Sequence, residues 1–148
     1  MRVNLARAAL ILSIAILGVA SVRGDEAPTG PDARAQDSNE QIRGTVQAVY
    51  TKNEDRANSV KTYYLFEILV SALEKGDSSK VGDLLYVRAF SIEARPGKLL
   101  PTGSSGHRPL PKTGDRLRVF IVKGPYSSTG QTDSGRSAFY PDGFEILP

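Results

Sequence analysis

Hydrophobic and polar residues alternate along most of the chain between positions 41 and 123. A period of two is typical of half-buried strands, and the β-branched and aromatic residues in these stretches favour the same structure. The pattern predicts strands over residues 41–52, 60–75, 83–92 and 115–123, and a short fifth strand over residues 144–147. The chain is therefore expected to be all-β.

Residues 60–75 admit a second interpretation. The segment could form a buried helix that ends at Gly76, since glycine commonly follows the last residue of a helix. The strand is favoured because apolar and polar side chains fall on opposite faces and the segment is rich in aromatic and β-branched residues. The face assigned to the interior carries Val60, Tyr64, Phe66, Ile68, Val70 and Ala72. In the first strand, the same reasoning assigns Ile42, Val46, Ala48 and Tyr50 to the interior.

Three segments between the strands are predicted to be loops because they are rich in Gly, Pro, Ser, Asn or Asp. Residues 53–59 form a turn, residues 93–114 a long irregular connection, and residues 124–137 a flexible loop. Structureless segments longer than about 12–15 residues tend to be functional or disordered. The 93–114 segment is therefore a candidate functional loop.

The first 24 residues are organised like a signal peptide. Arg2 and Arg7 precede an apolar run over residues 8–22, which is shorter than the stretch of about 20 residues that spans a membrane. Small residues allow cleavage after Ala20 or Gly24. We therefore expect a secreted or periplasmic protein, and the alternative is a retained N-terminal membrane anchor with the rest of the chain outside.

Composition and charge narrow the function further. The chain has 148 residues, with 19 Lys and Arg against 16 Asp and Glu, one His and no Cys. The lack of cysteine excludes disulfides and thiolate metal sites, and a single histidine excludes a multi-histidine centre. Arg2, Arg7 and Arg23 lie in the predicted signal peptide, so cleavage after Gly24 leaves 16 basic and 16 acidic residues. The charge of the whole chain therefore gives no specific sign of a nucleic-acid ligand.

Residues 25–40 are strongly acidic and contain no large apolar side chain. Such a segment cannot contribute to a core, so it is predicted to be an acidic, disordered linker. The remaining residues, 41–148, are enough for one compact domain.

The strands begin with recognisable patterns: a first strand that contains a glycine (RGTVQAVY), a long second strand (YYLFEILVSALEKG), a third strand after Val-Gly-Asp, and a fourth that begins Thr-Gly-Asp-Arg-Leu-Arg-Val-Phe. In this order of elements the chain resembles the oligonucleotide/oligosaccharide-binding (OB) fold. The Glu74-Lys75-Gly76 end of the second strand is also similar to netrin-like barrels, whose N-terminal cysteines this chain lacks. The resemblance implies a small five-stranded barrel, closed or partly open, over residues 41–147, with a ligand-binding face on strands two and three.

On that face, aromatic rings would alternate with charged side chains. Such rings can stack on bases or sugar rings while neighbouring cations donate hydrogen bonds. The competing interpretation is that the rings pack beneath the long loops with an arginine laid across them. The candidate ligand-binding residues are Lys61, Tyr63, Glu67, Tyr86, Arg88 and Phe90.

Candidate catalytic chemistry is confined to the 93–114 loop. His107, next to Arg108, could act as a general base for Ser104 or Ser105, but neither an orienting acid nor an oxyanion hole can be identified. The alternative is a solvated loop histidine. The acidic residues lie mostly in ordinary turn sequences and lack the spacing of a metal site. No catalytic residue, metal ligand or cofactor is therefore predicted.

These observations favour a non-catalytic binding or accessory module outside the cytoplasm. Its ligand would be a protein, a glycan or an anionic polymer. A structural or assembly component of the cell envelope is the second hypothesis, and a hydrolase that uses the His107 loop is the third.

Overall fold

The computed structural model describes residues 30–101 and 105–148. The predicted signal peptide and the first residues of the predicted linker therefore lie outside the described residues. Within the described part of the chain, no helix is long and apolar enough to cross a membrane.

The described residues are mostly β-strand, and every strand predicted from the alternation is present. One short α-helix and six strands follow in chain order: α1 (Pro31–Asp37), β1 (Glu40–Asp55), β2 (Ser59–Lys75), β3 (Leu84–Ala94), β4 (Arg116–Lys123), β5 (Arg136–Ala138) and β6 (Phe144–Ile146). A single 3₁₀ turn, Ser127–Thr129, lies between β4 and β5. The helical alternative for residues 60–75 is wrong, because β2 pairs with β1 along one edge and with β3 along the other. A strand with two partners satisfies its backbone groups without helical hydrogen bonds.

The strands close into a barrel. Their order is β1-β2-β3-β5-β4, and β4 pairs back onto β1. All neighbouring pairs are antiparallel except β3 and β5, which pair in parallel where Arg88 lies opposite Ser137. β6 pairs with β4 outside this ring. The predicted class, a small five-stranded barrel that is closed or partly open, is therefore confirmed as a closed barrel, with one correction. Its fifth strand is β5, which begins at the end of the predicted 124–137 loop, and the predicted fifth strand is the outer β6.

The core fills the barrel with aliphatic and aromatic side chains from every barrel strand and from β6. Phe66 and Phe144 meet edge to face at 5.0 Å between ring centroids. Fully burying such a side chain contributes about 1.5–3 kcal/mol each. The buried cluster consists of Ile42, Val46, Phe66, Ile68, Val70, Leu85, Val87, Ala89, Leu117, Val119, Ile121, Ala138 and Phe144.

The interior face predicted for β1 is only half correct. Ile42 and Val46 are buried, but the β1–β2 register shifts between Val46 and Ala48. One additional residue reverses the alternation beyond that point. Val49 therefore packs against the core, and Tyr50 points outward with 52% of its surface exposed.

The predicted linker does not extend to residue 40. Residues 31–37 form α1, and the fully buried Glu40 begins β1. The helix is held by side chains from distant parts of the chain: Lys75 Nζ donates to the carbonyls of Ala35 (2.8 Å) and Gln36 (3.0 Å) near its C-terminus. Arg34 lies over the Phe120 ring at 4.6 Å. Composition alone did not predict this order because the partners come from β2 and β4.

Candidate binding cleft

The sheet register brings the predicted face residues together. Tyr63 lies opposite Phe90, and Glu67 lies opposite Tyr86, with Arg88 between them on β3. Directly opposed residues of antiparallel strands share one face of a sheet. Lys61 belongs to the same group, since its Nζ lies 4.6 Å from the centre of the Tyr63 ring and 4.5 Å from that of Phe90.

Tyr63 is held in place by an exposed hydrogen-bond chain. Its hydroxyl donates to Glu54 Oε2 at 2.7 Å, and Arg56 Nε donates to Glu54 Oε1 at 2.8 Å. The hydrogen bond to the Glu54 carboxylate raises the pKa of the Tyr63 phenol, so the ring stays neutral. A tyrosine whose hydroxyl is already fixed presents its ring at a lower entropic cost on binding.

Tyr50 joins this face, although the sequence pattern had assigned it to the interior. Its hydroxyl donates to Glu67 Oε2 at 3.3 Å. A hydrogen bond to the same Glu67 carboxylate raises the pKa of Tyr86. The face therefore exposes three tyrosines, each tied to a carboxylate. The bulge that exposes Tyr50 depends on pairing with β2, so periodicity could not reveal it.

Phe90 lies on the outward side of β3, as predicted, but it is covered and only 8% exposed. Its ring stacks on Tyr140 at 5.5 Å and meets His107 edge to face at 5.1 Å. The competing interpretation, packing beneath the loops, therefore holds for this residue. Phe90 forms the floor of the site.

Arg88 connects β3 to the connection between β4 and β5. Its Nη1 lies 2.7 Å from both carboxylate oxygens of Asp133. The pKa of Asp133 is lowered mainly by this arginine and also by the Gly135 N–H, which donates to Oδ1 at 2.8 Å. The sequence assigned Asp133 to an ordinary turn, because its partner Arg88 lies 45 residues away in the chain.

The connection over residues 124–135, here called the β4–β5 loop, is ordered, whereas the sequence predicted a flexible loop. Gln131 organises it: the side-chain amide donates to the carbonyls of Gly124 (2.8 Å) and Gly135 (2.6 Å) and accepts from the Ser137 hydroxyl. Tyr126 accepts the Tyr140 N–H at 3.0 Å. Nothing in the local sequence signals that one glutamine satisfies both ends of a loop.

These elements enclose a cleft in two adjoining parts. One part, of about 230 Å³, lies between the β2–β3 face and the β4–β5 loop; the other, of about 350 Å³, continues across β2 towards β1. The two parts share Tyr63 and Arg88. We call the whole the aromatic cleft. It is lined by aromatic rings and by polar groups from Thr129, Gln131 and Ser137.

His107 is fully buried and lies below the cleft. Its Nδ1 accepts the Phe90 N–H at 3.2 Å, and its Nε2 donates to the Ala138 carbonyl at 3.0 Å. Burial lowers the pKa of the imidazole, which therefore stays neutral. The predicted alternative of a solvated histidine is wrong, since both ring nitrogens bind backbone groups and the ring does not reach solvent. Such an imidazole has no position from which to take a proton from a substrate.

Arg108, the other loop candidate, lies outside the aromatic cleft. Its side chain is exposed, and its backbone N–H donates to the Pro141 carbonyl at 2.9 Å. Of the two hydroxyls considered with His107, that of Ser104 lies outside the described residues, and Ser105 is a partly buried residue whose backbone carbonyl accepts the Ile92 N–H at 2.9 Å. Across residues 30–101 and 105–148, no group of three or more His, Cys, Asp or Glu side chains is placed to hold a metal ion.

The fold and the site together define a closed β-barrel with an open, aromatic-lined cleft on one side. Comparisons with protein-family models, with curated proteins and with solved structures found no match for the chain.

Proposed function

We propose that this protein is an exported, non-catalytic binding module with an OB-like barrel, and that its ligand docks in the aromatic cleft. The observation that carries the proposal is the shared position of Tyr63 and Arg88 in both parts of the cleft. OB modules bind their ligands on strands two and three, beside the loops that follow strands one and four. The strand order and the place of the cleft are compatible with that arrangement. Export rests on the apolar run over residues 8–22.

The two arginines beside the cleft favour an uncharged ligand rich in hydroxyl groups, which points to a glycan. Arg56 and Arg88 already pair with Glu54 and Asp133, so an anionic polymer would have to displace these carboxylates. Sugar rings stack on tyrosine faces, and their hydroxyls can donate to oxygen atoms at the cleft wall, such as the side-chain hydroxyls of Thr129 and Ser137. A glycan therefore uses the rings and the polar groups without breaking an ion pair.

A binding screen with matched variants tests this proposal. The purified protein is screened against neutral glycans, peptides and anionic polymers, and affinities are compared for Tyr63→Ala and Tyr63→Phe. A nucleic-acid base stacked on an aromatic side chain contributes about 1–3 kcal/mol; with a sugar ring contributing a similar amount, Tyr63→Ala should weaken glycan binding by roughly 5- to 150-fold. Tyr63→Phe keeps the ring and should stay within about threefold of the original.

Melting temperatures of both variants provide the folding control. Equal affinity of Tyr63→Ala and the unmodified protein would remove the cleft from the binding site. Retention of anionic polymers in place of glycans would overturn the ligand class. Stable co-purification with envelope proteins, unaffected by Tyr63→Ala, would favour the assembly hypothesis.

A further inference from the structure

Half of β1 has an unoccupied edge. The strand runs from Glu40 to Asp55 and pairs with β2 along its whole length. On its other side, pairing with β4 covers only Glu40–Thr45, and Val46 bonds to the backbone of Gly114 and Asp115. Beyond Val46, the outer edge makes no backbone hydrogen bond to any other segment of the described chain.

The hairpin register identifies the backbone groups at this edge. The Arg56 N–H donates to the Ser59 carbonyl across the turn, so residue 56 directs its backbone groups towards β2. Backbone direction alternates along a strand. The N–H and C=O groups of Thr51, Asn53 and Asp55 therefore point away from β2, towards solvent.

We propose that a second copy of this chain pairs with this edge, antiparallel, about a two-fold axis at Asn53. In this register Asn53 lies opposite Asn53 of the other copy, and Thr51 lies opposite Asp55, so the outward backbone groups face one another. A two-fold axis brings one patch against itself, which requires a self-complementary sequence.

The side-chain charges favour this register over one with the axis at Lys52. With the axis at Asn53, Lys52 of each copy lies opposite Glu54 of the other, and Tyr50 lies opposite Arg56. Moving the axis to Lys52 would instead place the two lysines opposite each other, and like charges in that position are destabilising. Charged residues on an edge strand normally discourage pairing with other chains. Here the charged residues disfavour pairing with unrelated strands, but they are complementary to the same residues of a second copy.

The proposed dimer rests on the proposed binding function and extends it, because the joined sheet would combine the binding surfaces of two chains. Opposed residues share a face, so the Tyr50 side chains of both copies would lie on the same side of a continuous sheet. The two aromatic clefts would then open in the same direction. A polymeric ligand could occupy both, with the gain in avidity that two linked sites provide.

The first test compares Asn53→Pro with Asn53→Ala in the full-length protein by analytical ultracentrifugation over a concentration series. Both variants lose the exposed hydrogen bond from Thr62 Oγ1 to Asn53 Oδ1. Only proline removes the outward N–H and places its ring in the edge, which the folded monomer tolerates because that N–H faces solvent. We expect dimers for the unmodified protein and Asn53→Ala, and monomers for Asn53→Pro. A monomer at every concentration, or an Asn53→Pro dimer of unchanged affinity, overturns the proposal.

A charge exchange gives the second test. Lys52→Glu places two glutamates opposite each other and should weaken the dimer by about tenfold or more at low salt, since the substitution turns two attractive pairs into repulsive ones. The double variant Lys52→Glu/Glu54→Lys should restore it. Equal dimer affinity for all three proteins contradicts the register. Ligand affinity per monomer is measured for Asn53→Pro, because Asn53 does not line the cleft, so failure of the dimer is distinguishable from failure of the cleft.

Discussion

His107 fixes the chain that follows β3 onto the barrel. Its ring lies among Phe90, Tyr140 and Phe144, and its two nitrogens satisfy backbone groups on β3 and β5. The preceding Gly106 has a φ of +87°, and an added Cβ there would lie 2.4 Å from the Phe90 carbonyl oxygen. The Gly106-His107 pair is therefore a structural attachment of a long connection.

We expect the free energy of unfolding to depend on pH through His107. The pKa of His107 is lower in the folded protein than the value of about 6.5 expected when unfolded. The unfolded state then binds more protons below about pH 6.5, so the free energy of unfolding should fall as the pH drops from 7 to 5, by up to about 1.4 kcal/mol per pH unit. His107→Gln should be less stable at pH 7 and show little slope in this range. The measurement is urea unfolding at each pH.

The chain contains one histidine, so no other imidazole contributes to that slope. Carboxylates titrate mainly below this window. An equal slope in the unmodified protein and in His107→Gln would mean that the ring is not buried in its neutral form.

The sequence pattern predicted some residues of the candidate cleft and missed others, and the difference has a physical cause. Tyr63 and Tyr86 lie on the expected face because strand alternation is a local property. Tyr50 was assigned to the interior because the alternation was extended along the whole strand. The bulge that exposes Tyr50 arises from pairing with β2, which the local pattern does not show. Asp133 and Gln131 had no local signal, since each acts on a group that the fold brings from elsewhere.

At the scale of elements, α1 depends on a lysine from the end of β2. The helix has seven residues, and helices shorter than about 12 residues are marginal in water without tertiary contacts. Lys75 donates to carbonyls at its C-terminus, where cations also interact favourably with the helix dipole. Arg34 supplies the second attachment through the Asp142 carbonyl at 2.8 Å.

The second prediction follows from this attachment. Lys75→Met keeps an unbranched side chain but loses the donors, so α1 should detach more often from the barrel. Hydrogen exchange of the amides of residues 34–38 should accelerate by about tenfold, consistent with losing about 1.4 kcal/mol of local stability. Lys80→Met, at an exposed lysine before β3, is the matched control and should leave these amides unchanged. Identical exchange in both variants would show that Lys75 does not hold the helix.

The entrances to β3 and β4 were the most predictable elements because both use the same short turn. Lys80-Val81-Gly82-Asp83 and Lys112-Thr113-Gly114-Asp115 each place glycine at a φ of +92°. In each, the aspartate carboxylate accepts the lysine N–H, at 2.8 and 2.7 Å respectively. β5 was not predictable in this way, since a three-residue strand is defined by its neighbours.

At the scale of the whole molecule, Glu40 joins segments that are far apart in sequence. Its carboxylate is fully buried at the start of β1, 3.4 Å from Lys123 Nζ on β4 and 3.3 Å from Arg136 Nε on β5. The Ser78 hydroxyl donates to it at 3.2 Å. Burial alone would raise the pKa of Glu40, but the polar and cationic neighbours outweigh burial and lower it. The carboxylate therefore stabilises the barrel in its ionised form.

The third prediction is that Glu40→Gln lowers the free energy of unfolding by about 2 kcal/mol at pH 7, because two cations lose a buried partner. The stabilisation is present above about pH 4.5 and is lost as the pH falls through the lower folded pKa. The difference between the two proteins should therefore shrink in acid. Glu93→Gln, at an exposed site on β3, is the control in the same denaturation series. A constant difference from pH 7 to pH 3 would contradict the assigned charge.

The architecture was largely predictable and the loops were not, for one physical reason. Burial of one face of a strand imposes a period of two, which is visible in the sequence itself. The acidic composition of residues 31–40 concealed α1 and Glu40, whose partners lie on β2, β4 and β5. The structure of the β4–β5 loop was equally hard to predict, because it depends on the hydrogen bonds of Gln131 and on the ion pair with Arg88.

The β4–β5 loop also begins and ends at the same place. The Gly124 N–H donates to the Gly135 carbonyl at 3.1 Å, which closes the segment at its base, immediately beside β4 and β5. Loops with joined ends tolerate changes in length and composition with little effect on the framework that carries them. We therefore expect changes in the length and composition of this loop to reshape one wall of the cleft with little effect on the barrel strands.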